Sequence, residues 1–119
     1  MAAKTITSTF LDFNRAEAMP ATVAVDAADG AVVDFSAASD ARILLVLENA
    51  DASGAKTATI KAGNSIQGVS DLEVSIAASG KMALVVESGA YMNVTGDNKG
   101  KVVILGTDTN IKVAAIVLP

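Results

Sequence analysis

The chain contains no cysteine, no histidine and no tryptophan. Without cysteine there is no disulfide framework and no thiolate to act as nucleophile or metal ligand. Without histidine there is no imidazole base and no zinc centre of the usual kind. Most common enzyme designs lose their central group at this point. Aromatic residues make up 3%, three phenylalanines and one tyrosine, which leaves little for a sugar-stacking platform. Charge is sparse as well, at 18%. Lys and Arg number 9 against 13 Asp and Glu, for a net charge of −4 and a pI near 4.6. That sign is wrong for neutralising phosphates, so nucleic acid is not expected as a partner. The stretch Met1–Ser8 carries one cation and no apolar run of signal-peptide length. Runs such as Ile43–Leu47 fall far short of a membrane span, so neither signal-peptide secretion nor membrane insertion is expected. The missing cysteines leave the redox compartment open.

What is present is apolar and patterned for strands. With 119 residues, of which 51% are hydrophobic, the chain is predicted to fold as one cored domain instead of remaining disordered. Asp71–Ile76 alternates strictly, with Leu72, Val74 and Ile76 on one side of a pleat; Lys56–Lys61 does the same, and Thr22–Val25 is a weaker copy. The runs Arg42–Leu47, Met82–Val86, Val102–Leu105 and Val113–Leu118 are apolar on both sides and are predicted to be covered on both faces. Gly, Asn and Asp clusters separate the runs: Ala28-Asp29-Gly30, Ala52-Ser53-Gly54, Ala62-Gly63-Asn64, Ser79-Gly80, Gly96–Gly100 and Thr107–Asn110. Their spacing matches a sandwich or barrel. The predicted fold class is all-β, an antiparallel β-sandwich or jelly-roll-like barrel of about eight short strands. Asn14–Met19, before Pro20, is predicted to make at most one short helical turn.

Residues 1–20 differ from the rest in pattern and are read as an N-terminal arm, with the sandwich domain over residues 21–119. The arm carries Phe10 and Phe13. The simpler expectation folds both rings back to plug one end of the sandwich, because exposed phenylalanines are costly; the sharper one docks the arm on a neighbouring subunit. Four strands apolar on both faces should also leave an apolar strip without intramolecular cover, which points to assembly. Tyr91 follows Ser88-Gly89-Ala90 at an expected strand start, as a ring at the core edge with a wet hydroxyl or as an interface anchor.

Candidate chemistry is thin. Gly96–Val102 invites comparison with a phosphate-binding loop, but it has one residue too few between the glycines and Val102 in place of the hydroxyl. It also reads as a turn between two strands. Asp26, Asp29 and Asp34 cluster in sequence, and Asp97 with Asn98 and Asp108 with Asn110 lie in loops, yet the spacing fits no calcium loop and turn-capping explains them. Glu48, Glu73 and Glu87 alternate with apolar residues as a solvated face would. Asn93-Val94-Thr95 matches a glycosylation acceptor, a short pattern that chance supplies. No catalytic residue, cofactor or metal ligand is assigned, and an enzyme is not expected.

As a whole chain, the sequence resembles the small capsid decoration, or head-stabilising, proteins of tailed bacteriophages. The resemblance rests on the segment Thr5–Pro20, the hairpin Thr22–Gly30, the core strand Arg42–Glu48 and the closing run Ile111–Pro119. It implies a structural protein made in the host cytoplasm and carried on the virion. There, homo-oligomers, trimers foremost, would bridge copies of the major capsid protein. It also implies interface roles for Ile6, Phe10, Leu11 and Phe13 on the arm, joined by Tyr91. A tail, baseplate or microcompartment-like shell subunit fits the same features. A surface-displayed carbohydrate-binding or adhesin module is the rival from another class.

Overall fold

Alternating burial along the chain lays two sheets face to face. The structure, a computed structural model, describes residues 2–119. Its strands are β1 (Lys4–Ile6), β2 (Thr9–Phe10), β3 (Val23–Ala24), β4 (Ala31–Asp34), β5 (Ile43–Asn49), β6 (Lys56–Ile60), β7 (Leu72–Ile76), β8 (Lys81–Leu84), β9 (Lys101–Gly106) and β10 (Ile111–Val117). A 3-10 turn covers Asp40–Arg42 and a single helical turn, α1, covers Ser88–Tyr91. One sheet has the order β1-β4-β9-β6-β7; the other runs β2-β10-β5-β8, with β3 beside β2 on the same edge of β10. The all-β, sandwich-like reading holds.

The inner rows form the core. Ile43, Leu45 and Leu47 of β5, with Val113, Ala115 and Val117 of β10, pack against Val33, Ala58, Ile60, Ile76, Val102 and Ile104 of the facing sheet. The longest ladder is antiparallel β5–β10, running from Ile111 opposite Asn49 to Val117 opposite Ile43. Gly30 turns the chain into β4 with φ +74, and a Cβ there would collide with the Ile104 carbonyl oxygen. Glycine is therefore the residue that turn accepts.

Five expectations are corrected. Ten strands form instead of about eight, because the arm contributes β1 and β2 and the run Ala31–Asp34 makes β4. The sheets are mixed: β1 runs parallel to β4 and β2 parallel to β10. Asn14–Met19 is not helical, and Asn14 sits at φ 60. Tyr91 ends α1 instead of starting a strand. Met82–Val86 is not covered on both faces, since β8 is the edge of its sheet with Met82 and Val85 exposed.

The segment read as an arm has two parts. Residues 4–10 belong to the sandwich, and Ile6 is 4% exposed within its core. Residues 11–22 form no strand; they leave β2 where Leu11 N donates to the Val117 carbonyl (2.8 Å). They return to β3 beside the outward face of the second sheet, where the Thr22 hydroxyl donates to Glu48. On that face Ala114 and Ile116 are buried, whereas Val85 towards the β8 edge stays open. The apolar strip is thus covered on one side by the chain itself.

Ile6→Ala is expected to destabilise the fold by about 2–4 kcal/mol through the cavity it leaves. Phe13→Ala, at an exposed position, should change stability by less than about 0.5 kcal/mol. Equilibrium urea unfolding of the two variants reads both.

Candidate functional site

The residues expected to form an interface do not converge. Phe10 and Phe13 lie in solvent, 55% and 75% exposed, so they do not plug the sandwich end. The Pro20-bounded segment that carries Phe13 and Met19 stays outside the core instead. Leu11 is half-buried, and Ile6 is spent on the core. Tyr91 packs against the core from α1, where Ala90 O accepts from Gly63 N of the β6–β7 loop. The sequence reading passed over Met19, Ile66 and Val69, which are 78%, 98% and 86% exposed. No periodicity marks them, since they sit in irregular segments.

The densest polar cluster lies where the chain crosses between sheets. The β5–β6, β7–β8 and β9–β10 connections all meet at one end of the sandwich. Asn49, fully buried, stands at their centre. Its Nδ2 donates to the carbonyls of Gly54 (2.9 Å), Ile76 (3.1 Å) and Ala77 (3.3 Å), and its Oδ1 accepts from Asp51 N (2.9 Å). The Ala50 N–H donates to Asn110 O and the Ser79 N–H to Asp51 O. Above this, Lys56 Nζ stands 2.8 Å from Asp108 and 3.4 Å from Asp51. An asparagine closing a greasy run was the only mark of this hub in the sequence.

Each shifted carboxylate is held by N–H groups, a hydroxyl or a lysine beside it. Ser36 holds Asp34, Ser53 with Lys56 holds Asp51, and Lys56 with the Asn110 N–H holds Asp108. The Asp29 and Ala28 N–H groups lower Asp26, Ser88 lowers Asp40, and the Ala62 N–H with Lys61 lowers Asp71. All six are pushed below the ordinary carboxylate range, whereas a catalytic acid needs the opposite shift. Among the described residues, no group of three or more acidic side chains is placed to hold a metal ion. The Gly96–Gly100 segment links the region after α1 to β9, not two strands as expected, and Gly100 N donates back to Asn93 O (2.7 Å). It opens no helix.

Comparison with protein-family models, curated proteins and solved structures finds no match to this chain. No helix among the described residues is long and apolar enough to cross a membrane.

Asn49→Ala is expected to cost about 2–4 kcal/mol, because it leaves buried carbonyls without a donor. Asn49→Asp should be worse, since a carboxylate cannot donate to them; chemical unfolding ranks the two. The lowered aspartates bind protons more weakly folded than unfolded. Their contribution is complete above the unfolded value near 3.9 and is lost as pH falls through the folded values below it. Lys56, raised by Asp108 and Asp51, contributes below the unfolded lysine value and loses that as pH rises through its folded one. The melting temperature should form a plateau from about pH 5 to about 10 and drop below about pH 4. A melting temperature unchanged down to about pH 2 would contradict this.

Proposed function

We propose that the protein is a non-catalytic structural subunit that binds the outside of a tailed-phage capsid and stabilises it by bridging copies of the major capsid protein. On this reading it acts as a homo-oligomer, a trimer foremost, and travels on the virion. The observation that carries the proposal is the surface segment 11–22. It is pinned at Leu11 and at Thr22, yet it leaves Phe13 and Met19 in water. A segment anchored at both ends that holds Phe13 and Met19 exposed between them is suited to close against another protein at small entropic cost. Buried polar side-chain atoms among the described residues all have hydrogen-bond partners. The remaining exposed apolar groups are then available to a neighbour, and a mechanical role needs no more than that.

The test is made on particles from a host that carries the gene. Mass spectrometry of separated heads and tails should find the protein on heads in many copies, and deleting the gene should lower the temperature at which DNA is released. The double variant Phe13→Asp, Met19→Asp should bind heads at least about tenfold more weakly, a loss of about 1.4 kcal/mol, with unfolding unchanged. Finding the protein only in tails, or in no particle, overturns the proposal.

A further inference from the structure

Exposed apolar groups on a loop are ordinary when the loop is loose, and the β6–β7 loop is not. The Gly63 N–H donates to Ala90 O (2.9 Å), and Asn64 accepts from the Val94 N–H (2.7 Å) while donating to Thr95 O (3.0 Å). The Ser65 hydroxyl donates to Gly89 O (2.7 Å), and the Gly68 N–H donates to Ser65 O (3.0 Å). A Cβ at Gly68 would collide with the Gly63 carbonyl oxygen, so the two backbones touch. Lys61 and Asp71, paired at 3.0 Å, close the base. The chain accepts the entropy cost of a fixed tip, and on that tip Ile66 and Val69 stand almost wholly in water. Residues 62–70 contain no ionisable group.

The far edge of the same sheet carries a counterpart. Around β1, a cleft of about 260 Å³ is lined by Thr5, Ile6, Thr7, Phe10 and Ala37, with Asp34 as its one ionisable group. A cavity of about 150 Å³ already accepts a benzene ring, so the cleft has room for a branched aliphatic side chain. Asp34 is satisfied by the Ser36 N–H (2.8 Å) and hydroxyl (2.6 Å) and lies opposite Lys101 in the ladder. The order β1-β4-β9-β6-β7 sets tip and cleft on opposite lateral edges.

We propose that the tip formed by residues 62–70 of one copy seats Ile66 in the β1 cleft of a second copy, a head-to-tail contact. Because donor and acceptor surfaces differ and lie on opposite edges, the contact is heterologous, and its repetition gives a ring where the rotation closes and a filament where it does not. Charge argues for a second copy as the occupant. A chain of net charge −4 repels itself wherever acidic surfaces meet. The tip carries no charge, its base is neutralised by Lys61 with Asp71, and the lone acid of the cleft faces Lys101. None of this depends on the particle proposed above.

The test is oligomeric state by light scattering together with disulfide trapping. The wild type should associate at micromolar concentration, and Ile66→Asp should weaken association at least about tenfold. Its monomer should keep the wild-type stability when both are unfolded below the association range, because Ile66 is almost wholly exposed. Thr7→Arg, on the exposed rim of the cleft, should do likewise. The chain has no native cysteine, so single variants Ile66→Cys and Ala37→Cys can be mixed and oxidised. The mixed disulfide should exceed both homodimers, distinguished by mass. A monomeric wild type, association unaffected by Ile66→Asp, or a product no richer in the mixed species than chance overturns the proposal. Association that persists while particle binding is absent would sink the capsid reading and leave this one standing.

Discussion

The side chain of Asn49 is the interaction on which the rest of this sandwich depends. Three connections pass from one sheet to the other at the same end of the molecule, and each exposes backbone polar groups that the apolar interior cannot satisfy. A single buried amide, with two donors and an acceptor, reaches the carbonyls of Gly54, Ile76 and Ala77 and the amide of Asp51. An unsatisfied buried carbonyl costs more than an ordinary hydrogen bond contributes, so the hub sets how the crossings are spaced. Lys56 then bridges Asp51 and Asp108 across the outside of the same cluster. With the crossings held, β5 and β10 align over their full ladder and the inner rows face each other.

Once the inner faces are joined, the open questions for a sandwich are its edges and its outer faces. The chain treats the two lateral sides differently. On one side, β1 and β2 add to β4 and β10 in parallel, and β3 joins them on β10. On the other, β7 and β8 end their sheets without a partner. The lowered aspartates are held by nearby N–H groups, hydroxyls and lysines, and the most exposed apolar groups, Phe13, Met19, Ile66 and Val69, lie on the 11–22 segment and the β6–β7 tip.

Legibility in the sequence followed periodicity. The strands β6 and β7 alternate with one wet face, and their limits were readable to within a residue. Arg42–Leu47, Val102–Leu105 and Val113–Leu118 announced themselves by composition, and β5, β9 and β10 lie there. β4 escaped notice because four residues beginning at Ala31 carry too short a signal beside a turn. Met82–Val86 looked the same as the central runs, yet strand order alone puts β8 at an edge. Ile6 looked like an arm residue and belongs to the core, since its neighbours in space are distant in the chain.

Composition and pattern by themselves determined the class of this protein: a small acidic all-β domain with no imidazole and no thiol, made of short strands with apolar side chains to spare. These are local or additive properties, and one chain suffices to read them. Tertiary structure alone decided which apolar groups are spent inside and which stay exposed. Phe13 and Ile66 stay in water while Ile6 and Ile116 do not, because burial depends on what other segments bring to the same place. It also decided that an unremarked asparagine would hold one end of the sandwich. Hydrogen-bond demand at that point arises only when three loops, far apart in sequence, arrive together.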